Sequence, residues 1–238
     1  MVTSRGPRSQ KLISTGNTEL DKKMGGGIPS GSLTLIEGQS GAGKSILTQQ
    51  LVWGALKVGK RVAYYATENT ATSLLRQMSS LSLDISDFFL LGRINIYPIR
   101  SAPTGEEARA LLQAALDHMM KAKDRDVIAF DSLSIFVSNI AERDTLAFFT
   151  AAKDLCDENK TVLLTLHSYA FSEPMFVRIR SIADAYLRLR VGEVGNQLLK
   201  ELEVAKIRGA EQTTGNVIAF DVEPGLGMRI IPMTRAKA

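Results

Sequence analysis

Gly38-Gln39-Ser40-Gly41-Ala42-Gly43-Lys44-Ser45 follows an apolar run, Leu33-Thr34-Leu35-Ile36, and leads into a segment with helical spacing, Ile46 to Val58. The spacing is G-x-x-x-x-G-K-S, set between a buried strand and a helix. Gly38, Gly41 and Gly43 carry no Cβ, so the backbone can curl with its N–H groups turned inward and approach an anion closely. The helix N-terminus adds unpaired N–H donors and a partial positive charge. Lys44 then supplies a mobile full charge for β- and γ-phosphates, and the Ser45 hydroxyl is placed to ligate Mg²⁺. A chance match in a chain of this length has a probability of about 0.01. Gly38 to Ile46 therefore reads as a nucleotide-binding site with Mg²⁺.

The 238 residues suit one α/β domain, with 1–11 expected as a flexible tail and 12–238 as the domain. A chain 45% hydrophobic and 23% charged is globular in composition. No apolar run approaches the length of about 20 residues that spans a bilayer, and Met1 to Lys11 is polar and basic. A cytoplasmic protein is expected. The net charge of +4 is spread over 29 basic and 25 acidic residues, and no basic cluster alternates with aromatics. Nucleic acid is not the expected partner. The single cysteine, Cys156, forms no internal disulfide and reads as a small buried hydrophobe.

Outward from the loop, strands are expected at Leu33–Glu37, Arg61–Ala66, Ile94–Tyr97, Val127–Asp131 and Thr161–Leu166, with helices at Ser73–Leu83, Thr104–Lys121, Thr145–Glu158 and Glu173–Ile182. Thr18 to Asp21 reads as a short helical turn and the Gly25-Gly26-Gly27 triplet as a break that also lets backbone pass close to something. From Ala185 the pattern changes to Ala185–Val191, Leu198–Ile207, Asn216–Asp221 and Met228–Ile231, which alternate or run apolar between Gly-containing turns. These predict antiparallel strands. The fold class is thus α/β, a mainly parallel sheet flanked by helices with C-terminal antiparallel strands.

Val127-Ile128-Ala129-Phe130-Asp131 ends four apolar residues in an aspartate, the form of a Walker B strand that holds a carboxylate near the Mg²⁺. Ligands of such sheets bind at the carboxyl edge. The phosphate loop, Glu68, Asp131 and His167 are all expected there.

These pieces resemble the RecA/KaiC-like branch of P-loop ATPases. The resemblance runs from about Leu12 to Ile231 and is carried by Ser14-Thr15-Gly16, Leu20-Asp21, Gly25 to Ser32, the phosphate loop, Thr67-Glu68-Asn69, the Walker B strand, Lys206-Ile207-Arg208-Gly209 and Gly227-Met228-Arg229-Ile230. It implies a RecA-like core. Within the branch the compact chain most resembles nucleotide-binding accessory proteins of the archaellum motor. That implies a homo-oligomeric ring and, as partners, the motor ATPase and membrane platform of the archaellum, with peripheral association through the motor complex.

KaiC-type ATPases carry two adjacent glutamates after the second strand, one polarising the attacking water. Here the pair is Glu68-Asn69. Glu68 can still orient water, whereas Asn69 cannot act as a carboxylate base. Tight MgATP binding with slow or absent hydrolysis is expected. The resemblance further implies a γ-phosphate sensor at His167, and a Lys206/Arg208 pair that reaches the nucleotide of a neighbouring subunit. Two other functions share the core: a RadA-like recombinase or DNA-repair paralogue, and a KaiC-like signalling ATPase. The first usually adds an N-terminal DNA-binding domain, for which there is no room before Leu12.

Overall fold

The computed structural model describes residues 12–99, 104–194, 197–208 and 216–232. The tail expected at 1–11 lies outside the described residues, as does Gly209. Strand β1 (Leu12–Ile13), helix α1 (Thr18–Lys23) and strand β2 (Ile28–Pro29) come first, and β1 pairs with β2 in a small antiparallel sheet. Asp21 holds this segment closed, accepting from Ser14 Oγ at 2.5 Å and from the Thr15 N–H at 2.8 Å. Asn17 caps α1 at the N–H groups of Glu19 and Leu20, and its amide donates to the Met228 carbonyl at 2.8 Å. The Gly triplet has its reason here. Gly27 has φ of 122°, and a Cβ on it would lie 2.2 Å from the Ile13 carbonyl oxygen.

The core then alternates. It runs β3 (Leu33–Gly38), α2 (Lys44–Lys57), β4 (Val62–Ala66), α3 (Ala71–Ser80), α4 (Ser86–Leu90), β5 (Ile94–Pro98), α5 (Gly105–Lys121), β6 (Val127–Asp131), α6 (Ser134–Val137), α7 (Glu142–Asp157), β7 (Thr161–His167), α8 (Glu173–Ile182) and β8 (Ala185–Val194). Strands β9 (Gln197–Ile207), β10 (Val217–Glu223) and β11 (Gly227–Ile231) complete a nine-stranded sheet of order β11-β10-β9-β8-β3-β7-β6-β4-β5. Strands β8 through β5 in that order are parallel, and β9 to β11 extend the sheet antiparallel. The expected α/β architecture holds.

Strands β3, β4 and β6 are buried along their whole length because helices cover both faces. Alternate residues serve alternate cores. Ile36, Tyr64, Ala129 and Leu163 join Leu47, Leu51 and Ala55 of α2 on one face, while Leu35, Tyr65, Phe130 and Leu164 meet Leu116, Phe149 and Phe176 of α5, α7 and α8 on the other. Several helix ends depart from expectation. Helix α7 starts at Glu142 rather than Thr145, with Glu142 and Asp144 in its first turn, and α3 starts at Ala71 behind a Thr70/Ser73 capping box. Among the described residues no helix is long and apolar enough to cross a membrane.

Candidate nucleotide site

Parallel register delivers the site. Gly38, the last residue of β3, pairs with His167 at the end of β7, and Ala66 of β4 pairs with Asp131 at the end of β6. The loop, the aspartate, the histidine and Glu68 therefore meet at one edge, around a cavity of about 500 Å³. Ser40, Gly41, Gly43, Lys44, Ser45 and Ile46 line it from the loop, facing Glu68, Asp131 and His167. Gly43 caps α2 with φ of 97°, and a Cβ on it would come within 3.1 Å of the Phe220 ring. The antiparallel extension thus leans directly on the phosphate loop. Gly38, Gln39 and Ala42 form the rest of the loop: the Gln39 carbonyl accepts from the Ala42 N–H at 3.3 Å and from Lys44 Nζ at 2.9 Å.

Lys44 Nζ also lies 3.2 Å from His167 Nδ1. An ammonium only donates, so Nδ1 is the acceptor and the ring proton sits on Nε2, which points to Glu68 Oε1 at 3.8 Å. The His167 pKa is lowered from 6.5, first by burial and then by the Lys44 charge, which keeps the ring neutral. The Lys44 pKa is lowered by burial, against the pull of Asp131 and Glu68. Tyr169 stacks on the His167 ring with centroids 4.9 Å apart.

Asp131 is buried and held by three hydroxyls. Ser45 Oγ and Thr165 Oγ1 donate to Oδ1 at 3.1 and 2.8 Å, and Tyr64 OH donates to Oδ2 at 2.8 Å. Burial raises its pKa, and those three hydrogen bonds oppose the rise. The donor set fits Mg²⁺: a serine hydroxyl and a carboxylate are hard oxygen ligands, few in number. Among the described residues no group of three or more His, Cys, Asp or Glu forms a metal site by itself. A cation here would complete its shell with phosphate oxygens and water, as Mg²⁺ does. Glu68 and Asp131 line the same cavity as Lys44, so a polyphosphate bound there would also call for that extra positive charge.

Three sequence-derived site residues stand elsewhere. Asn69 does not border the cavity. Its Oδ1 accepts from Ser73 Oγ at 3.0 Å, within the cap of α3. Lys206 and Arg208 lie at the opposite edge of the sheet. Strand β8 runs parallel to β3 and β9 runs back, so the end of β9 returns to the amino ends of the parallel strands, with Ile207 opposite Ala185 and Ala185 opposite Thr34. There Lys206 Nζ donates to the carbonyls of Arg180 and Ala183 at 3.1 and 2.5 Å, and Arg208 reaches the Ser181 carbonyl and Asp184 at 3.3 and 3.4 Å. Both secure the C-terminus of α8, and neither reaches this chain's own phosphate loop. The same topology carries Lys200 and Val222, which sequence reading missed, into the cavity wall. Tyr64, Thr165 and Gln77 were missed too, because each sits in a strand or helix that reads as ordinary core or surface.

The family model described as ATPase: KaiC matches residues 13–235. The archaeal flagellar ATP-binding protein FlaH of Sulfolobus acidocaldarius is 34% identical over 95% of this chain and 100% of its own length. The chain belongs to the FlaH branch of the KaiC-like ATPases. The solved structure of flagellar accessory protein FlaH from Methanocaldococcus jannaschii superposes with a TM-score of 0.83 at 27% identity, over 94% of this chain and 100% of that one. A KaiC-like protein of Pyrococcus horikoshii shares the fold, with a TM-score of 0.75 at 21% identity over 94% of this chain and 100% of that one. These matches place the mainly parallel sheet and its antiparallel extension within one family architecture.

Proposed function

We propose that this protein is an ATP-binding regulatory or scaffold component of the archaellum motor, which uses MgATP as a switch ligand and hydrolyses it slowly or not at all. One observation carries the reading. Of the Glu68-Asn69 pair, Asn69 is taken into a helix cap, and Glu68 is held loosely, its side chain 61% exposed and 3.8 Å from His167. A base that orients attacking water must be held near its productive geometry, and an exposed, weakly anchored carboxylate is not. Lys44 and Asp131, by contrast, are buried, Lys44 held by the Gln39 carbonyl and Asp131 by three hydroxyls. Ser45 and Asp131 would hold the Mg²⁺, which supplies charge neutralisation for the bound phosphates. A ligand that binds one state better shifts a conformational or assembly equilibrium without being consumed.

The names of its relatives, archaeal flagellar ATP-binding proteins, support the archaellum setting. The proposed partners are the motor ATPase and the membrane platform, met from the cytoplasmic side, and further copies of the chain in a ring. In that ring Arg208, its side chain 57% exposed at the edge away from the chain's own site, acts with Lys206 on a neighbour's nucleotide. The test combines equilibrium ATP binding with single-turnover hydrolysis and native mass. Expected are tight binding, negligible turnover, and a larger assembly with MgATP than with ADP that Arg208→Ala abolishes. Rapid multiple turnover by the isolated protein overturns the switch reading, and a monomer under every nucleotide overturns the ring.

A further inference from the structure

Strand β4 spends a fully buried tyrosine where phenylalanine would fill the same space. Tyr64 sits on the α2 face of the sheet with no exposed surface, packed in the same core as Ile36, Leu51 and Ala129. A buried hydroxyl costs free energy unless it is hydrogen-bonded, so its partner carries its reason for being there. That partner is Asp131 Oδ2 at 2.8 Å. The other oxygen, Oδ1, is the one shared with Ser45 Oγ at 3.1 Å, the hydroxyl that follows the loop lysine. The carboxylate therefore has one oxygen turned inward to the tyrosine and one turned toward the site, and the tyrosine helps to fix the plane between them.

We infer that Tyr64 is a positioning residue for metal binding: by engaging Oδ2 it turns Oδ1 of Asp131, together with Ser45 Oγ, toward the Mg²⁺ of the bound nucleotide. The inference rests on the nucleotide reading of the cavity. The carboxylate torsion of an aspartate is broad, so without this donor the plane is freer to rotate and the oxygen facing the cation is less well aimed. Thr165 Oγ1, at 2.8 Å from Oδ1, braces the same oxygen from β7, so Asp131 is clamped from the strands on both sides of β6. A second connection leads outward. Gln49 of α2 contacts the Tyr64 phenol and donates through Nε2 to Gln77 Oε1 at 3.1 Å, and Gln77 of α3 borders the cavity. Helix α3 begins just after Glu68, so the orientation of the metal-facing oxygen is tied to the segment that carries the candidate base.

The test is Tyr64→Phe, which removes one oxygen atom and leaves the core volume in place. Equilibrium ATP binding is measured while Mg²⁺ is titrated, and again in EDTA. The half-saturating Mg²⁺ concentration should rise about tenfold, the scale of losing one hydrogen bond to a charged group. ATP affinity in EDTA should be unchanged. In an Asp131→Asn background the same substitution should produce no further change in metal dependence, which a general packing defect would not reproduce. An unchanged Mg²⁺ requirement in Tyr64→Phe, where the wild-type protein does bind ATP, overturns the inference and leaves the nucleotide reading intact. Equal weakening with and without Mg²⁺, or an additive effect in the Asp131→Asn background, makes Tyr64 a packing residue and likewise overturns it. A wild-type protein that binds no ATP at any Mg²⁺ concentration overturns both.

Discussion

At the amino edge of the sheet Asp184 receives Lys153 at 2.6 Å, the Leu33 N–H at 2.9 Å and Arg208 at 3.4 Å, and Lys160 donates to the carbonyls of Ala122, Lys123 and Arg125. At the carboxyl edge Lys44 has one carbonyl and a neutral imidazole, and Glu68 has a histidine nitrogen 3.8 Å away. The residue types are alike, and their circumstances are opposite. Charges at the amino edge are matched within the chain and tie helix ends to strand starts. Charges at the carboxyl edge are left with capacity to spare, facing a cavity. The sheet's polarity creates this division: parallel strands present loops of varied length at their carboxyl ends, whereas their amino ends are closed off by the helices that return to them.

Lys44→Ala should break the comparison on the binding side. It removes the charge that the loop presents to the phosphates, and ATP affinity should fall about a hundredfold in equilibrium titration while the melting temperature changes little. Asp184→Ala should break it on the other side. Losing this carboxylate strands Lys153, Arg208 and the Leu33 N–H together, but the two cations can turn to solvent, so the cost should be about 2 kcal/mol, or roughly 4–8 °C in melting temperature. ATP affinity of the folded protein should be unaffected. Burial pushes the Asp184 pKa up, but the hydrogen bonds from Lys153 and Leu33 and the charges of Lys153 and Arg208 together bring it below the ordinary carboxylate value, so its contribution is present above the unfolded carboxylate range and is lost as pH falls through the lowered folded pKa.

The smallest effect sharpens the comparison instead of breaking it. His167 has a folded pKa below its ordinary 6.5, so the unfolded chain takes up a proton more readily than the folded one. Stability in the absence of nucleotide should be highest above about pH 6.5 and should decline as pH drops through the lowered pKa. His167→Gln should flatten that decline in chemical denaturation series between pH 7.5 and 5.5. A decline of the same size in the variant would place the titrating group elsewhere.

What was legible in the chain was local. The phosphate loop and the Asp131 strand announce themselves within a few residues, because the chemistry of phosphate and Mg²⁺ requires those types at that spacing. The alternation of strands and helices gave the fold class, since apolar runs bounded by glycine and polar turns admit few alternatives. What was not legible came from distance or from competition. The Lys206/Arg208 motif was visible, but its placement opposite the loop depends on β9 running back along β8. Lys200 and Val222 enter the cavity wall by that same pairing, which no local pattern records. Asn69 was weighed as a site residue, although Thr70 and Ser73 beside it already spelled a helix cap. Tyr64 hid in an apolar run, where its ring reads as core and its hydroxyl as incidental.

The hydrogen bond from Asn17 to the Met228 carbonyl joins the first helix of the described chain to the last strand of the sheet. Synthesis runs from one to the other, so for most of its time on the ribosome the opening segment lacks the partner that secures it. Helix α1, marginal alone at six residues, has its cap side chain fully satisfied only when β11 has joined β10. Truncation before Gly227 should therefore loosen residues 12–29 as well as remove a strand, and protease sensitivity should appear first near the beginning of the chain.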